Sequence, residues 1–277
     1  MRSTTAAPHR SRLVLATAAV AALALAGCAP QEGVDLGGNG ADSDFTAAIG
    51  GEPDQFDPQS TSSYFSFQVL ENVFDTLVEP GDDLTMQPAL AESWEVSDDQ
   101  LTWTFTLRDD VTFHDGSAFT SADVLYSYNR IIDEGLANAW RFSAITAMNA
   151  PDDRTVVIEV GAPTPNLLAN LGAFKGMAIV SEENVTSGAI QTNPIGTGPF
   201  VFESYSAGDS VVLSANADYW GGAPGIDGVT FRFLSEGTTA LTALRNDEIQ
   251  WTDSIPAQNI AGLGAEEGIE LGQTGSN

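Results

Sequence analysis

Hydrophobic and polar positions alternate strictly between residues 101 and 107. Leu101, Trp103, Phe105 and Leu107 fall on one side, and Thr102, Thr104 and Thr106 on the other. That period of two predicts a half-buried strand. Val156, Ile158 and Val160 repeat the pattern, as do Val229, Phe231 and Phe233. The runs Phe-Val-Phe at 200–202 and Val-Val-Leu at 211–213 predict shorter strands. Helical spacing lies between them. Residues 63–75 carry Phe67, Leu70, Val73 and Phe74, which predicts one helix over that span. Thr120 and Asp123 frame a capping-box-like start with Asp in place of the usual Glu. Val124, Leu125, Tyr128, Ile131 and Ile132 then line one face. Thr239, Leu241 and Leu244 predict a short helix before Asp247. Strands and helices mix without regular βαβ alternation, so the fold class is α/β (mixed α+β) with a mixed sheet.

The N-terminus follows a different pattern. Arg2, Arg10 and Arg12 precede an apolar run of Leu, Val and Ala at 13–26, which is too short to span a bilayer comfortably. Leu25, Ala26, Gly27 and Cys28 follow and resemble the lipobox of bacterial lipoproteins. The resemblance implies cleavage before Cys28 and a lipid anchor on that residue. Residues 1–27 are therefore expected to be a lipoprotein signal peptide. Residues 28–43, rich in Gly and without periodicity, are expected to be a flexible tether. The expected location is the extracytoplasmic face of the cell membrane.

Charge and composition narrow the classes. The formal net charge is −28, from 38 acidic and 10 basic residues. This excludes a nucleic-acid binder built on a basic footprint and argues against docking on anionic lipid. The single Cys and two His exclude an intramolecular disulfide, a Cys-based zinc site and a multi-His metal centre in the folded part. No Ser-His-Asp set closes in the folded part except around His114. That residue precedes a tight turn at Asp115 and Gly116 and reads as a surface residue. Nothing singles out a carboxylate pair for catalysis, so no enzymatic activity and no cofactor are expected. Gly196, Thr197 and Gly198 predict a sharp backbone bend. The segment lacks the Lys and the spacing of a phosphate loop.

Six segments in order carry a resemblance. They are EPDQFDP at 52–58, PALAESW at 88–94, LTWTFTLRDDVTFHDG at 101–116, FTSADVLYSY at 119–128, PIGTGPF at 194–200 and NADYW at 216–220. Together they resemble the family 5 solute-binding proteins of ABC transporters, which bind dipeptides, oligopeptides or nickel. The resemblance runs from about residue 45 to the C-terminus. It implies a periplasmic-binding-protein-like type II lobe with a mixed sheet and flanking helices over 44–277. The chain is expected to stop at the hinge crossover, with the second lobe absent. The implied function is capture of a peptide or peptide-like solute for delivery to an ABC permease. The alternative is a lobe without transport activity, acting as a surface sensing or scaffolding lipoprotein.

The resemblance also points to ligand contacts from this lobe. The segment at 60–65 matches a loop that faces the cleft in relatives, with Ser62, Tyr64 and Phe65 as candidates. Trp140 falls where a nickel-chelate binder has a cleft tryptophan. Phe174 and Lys175 border the cleft, and Trp251 and Asp253 approach it just before the crossover. Each of the aromatics could equally fill the core. Aromatic rings suit an extended peptide or a chelate by stacking.

Overall fold

The computed structural model describes residues 44–264, 266 and 268–272. The expected signal segment at 1–27, Cys28 and the expected tether at 28–43 lie outside the described residues. The chain opens with β1 (Asp44–Ile49) and α1 (Tyr64–Leu70), then the short strands β2 (Val78–Pro80) and β3 (Met86–Pro88). Next come β4 (Ala91–Val96), β5 (Thr102–Leu107) and α2 (Ser121–Asp133). A 3-10 turn at Ala139–Phe142 leads to β6 (Ile145–Asp152) and β7 (Thr155–Val160). The helices α3 (Leu167–Gly172) and α4 (Glu182–Thr186) precede β8 (Phe200–Ser206), β9 (Ser210–Ala215) and β10 (Gly228–Phe233). Finally α5 (Gly237–Arg245), β11 (Trp251–Thr252) and α6 (Ala257–Leu263) complete the order.

The strands form two main sheets. One has the order β11-β1-β10-β9-β8, and β2 and β3 pair separately. In it β1 runs parallel to β10 and β11, while β10-β9 and β9-β8 are antiparallel. The mixed sheet predicted from the sequence is this one. The other sheet, β4-β5-β7-β6, is antiparallel throughout. Its β5 buries Trp103, Phe105 and Leu107 and leaves the threonines half-exposed, as the alternation requires.

Each sheet has its own core. Beneath the antiparallel sheet, Phe105, Leu107, Val156 and Ile158 pack with Val124, Tyr128 and Ile131 of α2 and with Leu167 and Leu171 of α3. Beneath the mixed sheet, Ile49, Val211, Leu213 and Phe231 pack with Val69, Leu70, Val73 and Phe74. Residues 177–180 join the two cores. Met177 and Ile179 enter the first, and Ala178 and Val180 the second.

The α2 start is as predicted: Thr120 donates its N–H (2.9 Å) and its hydroxyl (3.0 Å) to Asp123 Oδ2. Its apolar face is narrower than predicted. Val124, Tyr128 and Ile131 are fully buried at spacings of four and three, but Leu125 is half-buried and Ile132 is exposed at the edge of the stripe. The first helix is also shorter than predicted. It ends at Leu70 because the next carbonyls are needed elsewhere: Gly198 N–H donates to Val73 O (2.9 Å) and Phe200 N–H to Asn72 O (3.0 Å).

The Gly-Thr-Gly segment differs from its predicted bend. Gly196 and Gly198 are not among the glycines with positive φ. They instead allow close approach, since a Cβ at Gly196 would stand 2.0 Å from Val73 O. His114 closes the same junction and is half-buried rather than at the surface. Its N–H donates to Gly196 O (2.9 Å). Its Nδ1 accepts from Gly196 N–H (3.3 Å) and its Nε2 lies 3.0 Å from Gly198 O. This pattern requires a neutral ring, and burial lowers its pKa in the same direction. Gly116 has φ +83, as the predicted turn demands.

Two buried carboxylates lock the segments that carried the resemblance. Asp75 accepts from Thr197 Oγ1 and Trp220 Nε1, both at 2.9 Å, and from the Tyr219 hydroxyl at 3.4 Å. Asp57 receives Arg130 of α2 at 2.6 Å (Nη2) and 3.2 Å (Nη1). Gln59 extends that link, donating from Nε2 to Ser127 O and Ala178 O. The conspicuous polar residues of these segments therefore tie the fold together.

Candidate ligand-binding face

The face is built on α1. Ser63 caps the helix, its Oγ accepting from Ser66 N–H at 3.4 Å. Ser66, Val69 and Leu70 turn into the protein. Tyr64, Phe67, Gln68 and Glu71, at helical spacing, share the other stripe, on which Tyr64 and Glu71 are exposed, Phe67 is half-buried and Gln68 is buried. Tyr64 is 63% exposed. Its hydroxyl donates to Asp253 Oδ2 at 3.2 Å, and Gln68 Nε2 donates to the same oxygen at 2.9 Å. The Tyr64 phenol is raised above its ordinary pKa, first by burial and then by the Asp253 charge and hydrogen bond.

Asp253 is placed by β11. Gln250 exchanges two hydrogen bonds with the Thr46 backbone, one from its own N–H (2.8 Å) and one to its Oε1 (2.9 Å). That anchors the strand beside β1. Trp251 is 42% exposed and stands over a groove of about 310 Å³ floored by Phe45, Ala47, Val229 and Phe231, with Gln68 and Glu71 among its other residues. The Glu71 side chain remains exposed, yet desolvation raises its pKa, and the Lys175 charge opposes that rise.

A second group continues from Phe67. Its ring lies 4.5 Å from that of Phe174. The Arg141 guanidinium lies 5.7 Å from the Phe174 ring and 4.8 Å from the Trp140 ring. Trp140 is 63% exposed. Gly176 is required behind this group, because a Cβ there would stand 2.5 Å from the Phe174 ring and 2.7 Å from Asn138 Nδ2.

Tyr64 and Asp253 therefore form one polar end, and Phe174 and Trp140 belong to an aromatic and cationic end, with Phe67 and Gln68 of α1 between them. Trp251 borders the same helix across the groove. Three other candidates sit differently. Phe65 is half-buried against the backbone, where a Cβ at Gly51 would stand 2.4 Å from its ring. Ser62 is exposed just ahead of the cap. Lys175 turns inward, its Nζ donating to Phe74 O at 3.1 Å. Sequence reasoning passed over Gln68 and Arg141. Gln68 stands four residues after Tyr64 and Arg141 one after Trp140, and both spacings are legible in the chain. Phe67, which its spacing places on the core stripe, is half-buried against Phe174 instead.

The arrangement offers aromatic surface and hydrogen-bonding poles. Among the described residues no group of three or more His, Cys, Asp or Glu is placed to hold a metal ion. Among them, too, no helix is long and apolar enough to cross a membrane.

A family model described as "Bacterial extracellular solute-binding proteins, family 5 Middle" matches residues 85–277. The chain belongs to this family. The family 5 chain is 36% identical over 217 residues to a protein of Brucella ovis named as an ABC transporter peptide-binding protein, covering 75% of this chain and 41% of that one. It thus spans less than half the length of that curated relative. Solved structures agree with the fold. A binding protein from A. tumefaciens R10 in complex with agropinic acid matches with TM-score 0.76 at 30% identity, over 81% of this chain and 46% of that one. A Helicobacter pylori ABC transporter-associated periplasmic binding protein, in complex with the peptide STSA, matches with TM-score 0.73 at 27% identity, over 81% and 49%. These likenesses give the fold as that of a type II periplasmic binding protein.

Proposed function

We propose that this family 5 chain supplies one wall of a cleft that captures a peptide or peptide-like solute outside the cytoplasm for delivery to an ABC permease. The observation that carries the reading is the placing of Tyr64 and Asp253 at one end of α1 and of Phe174 and Trp140 beside Phe67 of the same helix. Exposed aromatic rings supply stacking area at low cost in side-chain freedom, and the Asp253 end supplies direction. Ser62, Phe65, Lys175 and Trp251 border or support this face. The opposing wall belongs to the additional length found in the relatives. Cys28 anchors the protein to the membrane through lipid, with residues 29–43 as tether. The partners are thus a small solute, the transmembrane subunits of a permease and the bilayer.

The test is mass spectrometry of small molecules that co-purify with the protein from its own cells. Peptides or related zwitterions recovered with the wild type should be lost from the Tyr64→Ala/Asp253→Ala variant. Recovery of the same molecules from both would remove this face from the reading.

A further inference from the structure

The chain carries far more acidic than basic residues, so an arginine without a carboxylate partner is an exception. Arg108, Arg130, Arg154 and Arg245 each hold an Asp or Glu. Lys175 donates to a backbone carbonyl and acts electrostatically on Glu71 and Glu79. Arg141 has no carboxylate within ion-pair distance among the described residues. Arg232 shares that lack, but it alternates with Phe231, which floors the groove, and so lies on the opposite face of β10.

Arg141 is nevertheless held in place. Its guanidinium lies over the exposed Trp140 ring at 4.8 Å and near Phe174 at 5.7 Å. Its Nε donates to Asn138 Oδ1 at 3.4 Å. Its backbone carbonyl accepts from Asn170 Nδ2 at 3.1 Å. These contacts use the ring face and Nε. The two terminal nitrogens meet no protein acceptor among the described residues. A guanidinium oriented by stacking, with its terminal donors free, is suited to bidentate binding of a carboxylate.

We propose that Arg141 is the carboxylate anchor of the ligand-binding face. The inference rests on the ligand-capture reading above and narrows it to a solute with a free carboxylate. At the other end of the face Asp253 supplies the opposite charge, with Phe67 and Phe174 between the two. A zwitterion would lie with its carboxylate at Arg141 and its ammonium toward Asp253. Lys175 is placed differently: its Nζ turns inward to Phe74 O and its charge acts on Glu71 and Glu79.

The experiment uses the purified chain and three probes: alanyl-phenylalanine, its C-terminal amide, and N-acetyl-phenylalanine, which has a carboxylate and no ammonium. Arginine Nε–H resonances and binding isotherms are followed into the millimolar range. N-acetyl-phenylalanine should shift the Arg141 Nε–H saturably. The dipeptide should bind about tenfold more tightly than its amide, the ratio expected for one charge-assisted contact. Arg141→Gln should bring that ratio close to one with the amide unaffected, and Arg141→Lys should retain part of it. An unchanged acid-to-amide ratio in Arg141→Gln would overturn the anchor while leaving peptide capture standing. If neither peptide binds yet N-acetyl-phenylalanine still shifts Arg141, the anchor stands and peptide capture falls. If no probe shifts Arg141, the anchor is overturned.

Discussion

Tyr64 and Asp253 are separated by 189 residues, yet the hydroxyl of one donates to the carboxylate of the other at 3.2 Å. The contact joins α1 to the residue just after β11. It makes the Tyr64 phenol a reporter of the face, because the Asp253 charge and hydrogen bond add to the burial that raises its pKa.

Asp253→Asn should therefore bring the Tyr64 pKa down toward its ordinary value of 10.0, leaving only the part due to burial and to Glu71. Titration of ring-labelled tyrosine by NMR measures this. A Tyr64 pKa equal in wild type and variant would show that the two side chains do not meet in solution.

Asp57→Asn should be strongly destabilising. Arg130 and Asp57 have side chains only 7% and 2% exposed, and the substitution leaves the buried guanidinium with only the exposed Glu134 carboxylate, 3.4 Å from its Nε. Breaking such a pair costs about 3–5 kcal/mol. Denaturant unfolding followed by circular dichroism should show that loss, and a change below about 1 kcal/mol would contradict the buried pairing.

Gly196→Ala and Gly116→Ala separate two reasons for glycine. At Gly116 φ is +83 and a Cβ meets nothing within 4 Å, so the cost is that of the left-handed backbone, about 1–2 kcal/mol. At Gly196 a Cβ would stand 2.0 Å from Val73 O, so the junction itself must move. Gly196→Ala should be the more damaging of the two, at or above the upper end of the ~1–3 kcal/mol seen for overpacking. The reverse order in melting temperature would show that the two segments are not in contact.

His114 should make stability depend on pH. Burial depresses its folded pKa below the ordinary 6.5. The unfolded chain then binds the proton more readily than the folded one, so stability rises with pH across the interval between the two values. The contribution is fully present above the unfolded pKa and is lost as pH falls toward the folded one. His114→Gln should flatten the melting-temperature profile below about pH 6.5, relative to wild type. Parallel profiles for the two proteins would mean that His114 does not titrate differently on folding.

Cys28→Ala should release the protein from membranes or leave it uncleaved, as the lipobox-like run at 25–28 requires. Fractionation and intact-mass measurement of the processed chain read both outcomes. Unchanged partition and processing would dismiss the lipid anchor.

The sequence by itself determined the elements. Strict alternation at 101–107 produces β5 because one face of that strand is buried and the other is not, and a period of two is readable without neighbours. The α2 cap is local for the same reason, since Thr120 and Asp123 are three residues apart. The ordered segments also carried the family and the fold class. What only the tertiary structure decided was where chain length is exchanged for proximity. The early end of α1 depends on carbonyls claimed by residues 198 and 200, far along the chain. His114 looks like a turn residue until Gly196 and Gly198 arrive to enclose it. Phe67 keeps core spacing but is half-buried outside both cores, because the fold sets Phe174 against it. Arg141 has no mark in the sequence beyond its neighbour Trp140; its stacking and its lack of a carboxylate follow from which side chains the fold brings near and which it keeps away.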